Sequence, residues 1–167
     1  MSEAPWTIFR RLPAPVKLLI YGTFINRAGG FILPFLAIVL TRDFGLSEVR
    51  LTFILACYGI GSLCAILTGG WLTDQIGRRQ VLLTSLIGGG SLAVAMGFSR
   101  DITILSGLIL VYGFVGELYR PAASAILGDL LPSSQRAIGF AALRLAVNLG
   151  FAFGTGLGGF QIGRAHV

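Results

Sequence analysis

The sequence predicts an all-α membrane protein of five transmembrane helices, and three observations carry that prediction. Of its 167 residues, 54% are hydrophobic and only 12% charged, where a soluble domain carries about 25% charged residues. Five apolar segments, roughly 18–40, 51–73, 80–98, 102–130 and 137–160, each come near the roughly 20 residues a helix needs to span a bilayer. The chain also holds 24 glycines, which a soluble core would not favour but which let membrane helices approach closely.

Residues 1–17 form an N-terminal segment with Arg10, Arg11 and Lys17 beside the first run. That run is longer than the roughly 7–15 residues of a signal-peptide core, and no small-residue cleavage site follows it, so it reads as a retained helix. The second run, 51–73, contains Cys57 and Cys64. On a helix they lie about 10 Å apart at 1.5 Å rise per residue, too far to bridge, and they serve as small packing residues. The third run, 80–98, has Gly88-Gly89-Gly90 and no deep charge, and reads as a packing helix. Pro132 with two serines stops the fourth run before the fifth begins. Residues 161–167, QIGRAHV, end the fifth run abruptly with Arg164 and the lone His166. They read as a non-native tail and carry no function.

Charge position sets the orientation and excludes one class of partner. With the N-terminus inside, the inner segments hold Arg10, Arg11, Lys17, Arg78, Arg79 and Arg136, and the outer ones Arg42, Arg50 and Arg100. This bias predicts a cytoplasmic N-terminus and a multi-pass protein of the plasma (bacterial inner) membrane. The net charge of +6 lies at the ends of apolar runs and not on one basic face, so no nucleic-acid partner is expected.

Four charges lie too deep for loops: Arg27, Glu117, Arg120 and Arg144. At a helix centre each costs at least about 2.5–3.5 kcal/mol by insertion scales, which argues for an internal aqueous cavity. Helical spacing agrees. Thr23, Arg27, Gly30 and Pro34 fall on one face of the first run, and Gly113, Gly116, Glu117, Arg120 and Ser124 on one face of the fourth. In the fifth, Arg144 and Asn148 share a face opposite the ridge Gly150, Gly154, Gly158. Static pairs of Glu117 with Arg27 or Arg120 are the alternative to a functional role. For Glu117 the functional role is preferred, because a midplane carboxylate can change protonation as its surroundings rewet.

Between the second and third runs stands Gly70-Trp-Leu-Thr-Asp74-Gln-Ile-Gly77-Arg78-Arg79. It resembles the G-x-L-x-D-R-x-G-R-R/K signature of the major facilitator superfamily, with Gln75 in place of the first basic residue. A second stretch, Gly150-x-x-x-Gly154-Thr155-x-x-Gly158-Gly159, is similar to the G-x-x-x-G-P-x-x-G-G motif of that family's drug/proton antiporters, with Thr155 in place of the proline. The likeness covers residues 1–160 and implies the N-terminal lobe of a transporter, about five of twelve helices, truncated before the sixth. It further implies a cytoplasmic gating motif of Gly70, Asp74, Gly77, Arg78 and Arg79, with Asp129 as the carboxylate partner, and a helix-packing motif of Gly150, Gly154, Gly158 and Gly159. Independently of the family, Gly70 would let a neighbouring backbone approach and Gly77 would permit a tight turn. Gly154-x-Gly156-x-x-Gly159 also satisfies a dinucleotide fingerprint, but it ends an apolar helical run and lacks the strand that such a site requires.

The resemblance implies alternating access driven by an ion gradient. The first choice is a proton-coupled exporter of small molecules, with Arg27, Glu117, Arg120, Arg144 and Asn148 as cavity or proton-coupling residues. A proton symporter for a nutrient or organic anion is the second reading, and a small membrane scaffold or assembly subunit is the reading from another class. No enzyme, cofactor or metal is implied. The expected partners are the bilayer, a small-molecule substrate, protons and the missing C-terminal lobe.

Overall fold

The computed structural model describes residues 5–42 and 44–164. A short helix α1 (Pro5–Arg11) precedes α2 (Ala14–Ala28); a 3₁₀ turn, Gly29–Phe31, joins α2 to α3 (Ile32–Arg42). Then come α4 (Glu48–Ile76), α5 (Arg78–Phe98), α6 (Ile102–Glu117), α7 (Tyr119–Leu130) and α8 (Ser133–Arg164). Five stretches are long and apolar enough to cross a membrane: Ala14–Arg42, Glu48–Ile76, Arg78–Phe98, Ile102–Leu130 and Ser133–Gly156. The predicted all-α, five-span membrane class is the one observed.

Two of the spans are broken, and each break has a proline behind it. Pro34 lacks the N–H that would reach the Gly30 carbonyl, and the first span passes there through its 3₁₀ turn. Pro121 likewise cannot donate to the Glu117 carbonyl, and the fourth span breaks at Leu118, between α6 and α7. The neighbouring bonds persist, from Leu118 N–H to the Phe114 carbonyl at 3.3 Å and from Ala122 N–H to the Leu118 carbonyl at 3.4 Å. Both polar faces expected from sequence assumed an unbroken helix. The breaks fall between Arg27 and Pro34 on one and between Glu117 and Arg120 on the other.

Local chemistry sets the remaining boundaries. Gly77, between α4 and α5, has φ +103°, a conformation that a side chain makes costly; its N–H bonds the Thr73 carbonyl at 3.2 Å. Asp101 caps α6, accepting from the Thr103 and Ile104 amides at 2.7 and 3.0 Å. The N-terminal segment 1–17 is in part helical, since α2 starts at Ala14 and Lys17 Nζ donates to the Arg10 carbonyl at 2.6 Å. At the other end α8 runs unbroken past residue 161 to Arg164. The rest of the expected tail, with His166, lies outside the described residues.

The chain forms two compact units. In the unit Ala37–Ile126, α4 and α6 meet backbone to backbone: a Cβ on Gly61 would strike the Leu110 carbonyl, and one on Gly113 the Tyr58 carbonyl. Ala65, Val81, Leu118 and Ala122 form its core, with Leu72, Leu82 and Phe114 packed against it. Small residues at such contacts let dispersion work where lipid removes the hydrophobic driving force.

The other unit joins Met1–Leu36 to Leu127–Val167. Here α8 lies on the first span through its glycines, Gly150 against Phe24 and Arg27, Gly154 against Ala28, and Gly158 against the Phe35 ring. Gly159, expected in the same ridge, is exposed with no heavy atom within 4 Å of a built Cβ. Gly154-x-Gly156-x-x-Gly159 lies inside α8, with no strand before it. An open apolar groove of about 570 Å³ runs along this unit, lined by Ile20, Tyr21, Phe24, Ile138, Leu145 and Leu149 among others.

Candidate functional site

Glu117 closes α6 and is 3% exposed. A buried carboxylate needs partners on its oxygens, because desolvation of an unpaired charge costs several kcal/mol, about the scale of a broken buried pair. Two helices provide them, and a third anchors the turn. The Tyr58 hydroxyl of α4 donates to Oε1 at 2.9 Å. From α7, beyond the break, Arg120 brings Nε within 2.6 Å of Oε2. On α5 the Ser85 hydroxyl donates to the carbonyl of Gly116 at 3.0 Å, anchoring the turn that carries the carboxylate. The Arg120 side chain is 58% exposed, although its Nε reaches the buried carboxylate. Tyr58 also packs on Tyr112, with ring centroids 6.1 Å apart and tilted by 37°. The arrangement places one buried carboxylate between a neutral donor and a cation.

The second cluster is the α4–α5 turn. Gly77 takes the left-handed conformation that the turn requires. Arg78 donates from Nη1 to the Ala125 carbonyl of α7 at 3.4 Å, which ties the turn to the segment that also carries Arg120. Asp74 and Arg79 are exposed, and Asp129 is exposed four residues beyond Ala125 on α7. The close approach expected at Gly70 occurs one residue earlier. A Cβ on Gly69 would lie 2.5 Å from Pro121 Cγ, whereas Gly70 has no heavy atom within 4 Å.

Arg27, Arg144 and Asn148 belong to the other unit. Arg27 is half-buried just before the 3₁₀ turn, with its Cβ against the glycine ridge at Gly150. Arg144 and Asn148 are exposed on α8, while Gly150 and Gly154 are buried. The glycines face the first span, and the two polar side chains lie on the exposed side of the helix.

Tyr58 and Ser85 escaped the sequence reading. Each is a single polar group in an apolar run, and the signal that could have found them is that buried hydroxyls in membrane helices seek a partner. Which partner depends on helix rotation, and the sequence of α4, apolar on all sides, does not state it.

Broken apolar spans packed through glycines, a buried carboxylate and a G-x-x-x-D-x-x-G-R-R turn define a multi-pass integral membrane protein. The sequence profile of the Major Facilitator Superfamily matches residues 19–165, and the chain belongs to that family. Among its relatives is the quinolone resistance protein NorA of Staphylococcus aureus, 27% identical over 154 residues, which cover 90% of this chain and 39% of that protein. Another is the uncharacterized MFS-type transporter YqjV of Bacillus subtilis, 28% identical over 141 residues, covering 84% of this chain and 34% of that protein. The chain therefore spans well under half the length of these relatives.

Proposed function

We propose that this chain is the N-terminal part of a secondary transporter that exports small molecules in exchange for protons by alternating access. The observation that carries the reading is Glu117, buried in the middle of a membrane span at a helix break and held between Tyr58 and Arg120. Intramembrane carboxylates of this kind mark proton or ion pathways. Export of small, drug-like molecules is supported by the relative named for quinolone resistance. The protein acts as a carrier and not as an enzyme. Its N-terminus and the Asp74–Arg79 turn face the cytoplasm of a bacterial inner membrane, in keeping with the Lys/Arg bias.

The second lobe lies in the length that the relatives have beyond this match, and rocking between lobes needs both. In the unit Ala37–Ile126, α5 packs on α6. The apolar groove along α2 and α8 suits a further helix in the same role. Residues 1–167 alone should insert but carry no flux.

The experiment is Glu117→Gln in the full-length transporter, read as pH-gradient-driven flux beside equilibrium substrate binding. Coupled flux should be lost and binding kept within about twofold, the outcome for a residue needed for turnover but not for ground-state binding. Undiminished coupled flux would remove Glu117 from the proton pathway.

A further inference from the structure

The carboxylate of Glu117 is claimed from two directions by groups of different kind. Tyr58 offers a neutral hydroxyl from α4, and Arg120 offers a charge from α7. These respond differently to a proton. A protonated carboxyl group keeps an oxygen that accepts from a phenol, but it no longer attracts a guanidinium as an ion pair. Gain of a proton therefore loosens the Arg120 contact and leaves the Tyr58 contact in place.

The surrounding backbone fits that division. On the Tyr58 side, α4 and α6 touch at Gly113 and at Gly61 with no room for a Cβ, so the donor and the carboxylate ride on one tightly packed pair. Ser85 secures the same turn of α6 through the Gly116 carbonyl. On the Arg120 side, the helix is interrupted at Leu118, and Pro121 removes the bond that would tie α7 to the Glu117 carbonyl. Beyond the interruption, α7 carries Pro121, seated on Gly69, and the carbonyl of Ala125, which accepts from Arg78.

We propose that Tyr58 is the positioning residue of the carboxylate site. It fixes Glu117 to the second span in both protonation states, so that a proton acts on Arg120 and the α7 segment behind it, and through that segment on the Arg78 turn. The proposal rests on the reading of Glu117 as the proton site and adds the residue that gives the site a direction. Without the hydroxyl, the carboxylate loses that tie to the second span.

The test uses the full-length transporter in proteoliposomes with Tyr58→Phe, which keeps the ring and its contact with Tyr112. Infrared difference spectra read the carboxylate stretch of Glu117, identified as the band missing from Glu117→Gln. Tyr58→Phe should shift that band and lower pH-gradient-driven flux by roughly tenfold, the scale of one hydrogen bond to a charged group, with substrate binding within about twofold. An unmoved band, or a shifted band with undiminished flux in Tyr58→Phe, overturns the positioning role. A shifted band with full coupled flux in Glu117→Gln instead overturns the proton-site reading and the transmission built on it, while the hold of Tyr58 on the carboxylate stands.

Discussion

The ring of Pro121 fills the space that a side chain on Gly69 would need, with Cγ 2.5 Å from where that Cβ would stand. The proline that breaks the fourth span thus also docks the segment after the break onto the second span. Gly69→Val should destabilise the protein by about 1–3 kcal/mol, the usual cost of overpacking. Gly70→Ala should stay within about 0.5 kcal/mol, as expected of a surface position. Thermal unfolding of the two variants in one detergent compares them directly. Equal losses would show that the contact is slack.

Gly77 makes a separate prediction, because its φ of +103° is set by the turn and not by a neighbour. Gly77→Ala should cost about 1–3 kcal/mol of backbone strain. Gly77→Asn should recover little of it, because Asn tolerates the αL region whereas ψ here is +136°. Retained melting temperature in Gly77→Ala would mean that the turn has another conformation within reach.

Asp74→Asn in the full-length transporter should lower transport by at least about fivefold, within the range of coupling energies between states, and leave membrane insertion intact. The charge is exposed on the last turn of α4, so its effect must come from a contact made in one state of the cycle only. Accessibility labelling of inward and outward states reads it. Unchanged transport and unchanged labelling would reduce the charge to a topology signal.

Asp101 gives the pH dependence. The amides of Ile104 and Thr103 hold its carboxylate below the ordinary carboxylate range, since both favour the charged form. With the folded value depressed, the cap contributes above the unfolded value and is lost as pH falls through the folded one. Protection of the Thr103 and Ile104 amides, taken relative to the intrinsic exchange rate at each pH, should fall over that acid window. Asp101→Ala should show faster exchange at neutral pH, by roughly fivefold, and Asp101→Asn should remove the pH dependence while keeping the cap. Protection that does not change through that window in the unaltered protein would overturn this.

The glycine ridge of α8 predicts a graded series. Gly154→Val collides with the Ala28 carbonyl and should cost about 1–3 kcal/mol. Gly159→Val meets nothing and should cost only its helix propensity, under about 1 kcal/mol. Unfolding in detergent ranks the two, and reversed order would place the first span elsewhere on α8.

The five spans were legible because hydrocarbon imposes a length and a composition that few other demands reproduce. The turn at Gly77 was legible for a local reason, since a glycine between two helices beside arginines announces its conformation. The breaks were not read, although Pro34 and Pro121 stand in plain view, because membrane helices tolerate proline and a regular face conceals the missing bond. Gly69 was passed over for Gly70 because neighbouring glycines differ only by about 100° of rotation, and the weakly amphipathic α4 offers no single polar face to fix that rotation. Tyr58 was hidden for the same reason: its partner lies 59 residues away on another helix.

The bond between Tyr58 and Glu117 also bears on how the protein is made. Domains assemble from the N-terminus as the chain emerges, so the second span is already in the bilayer when the fourth arrives. The carboxylate, which would alone oppose insertion by about 2.5–3.5 kcal/mol, meets a hydroxyl that is waiting for it. Order of synthesis and order of assembly coincide here. Moving the tyrosine to a later helix would leave Arg120 alone to accompany the charge into the membrane.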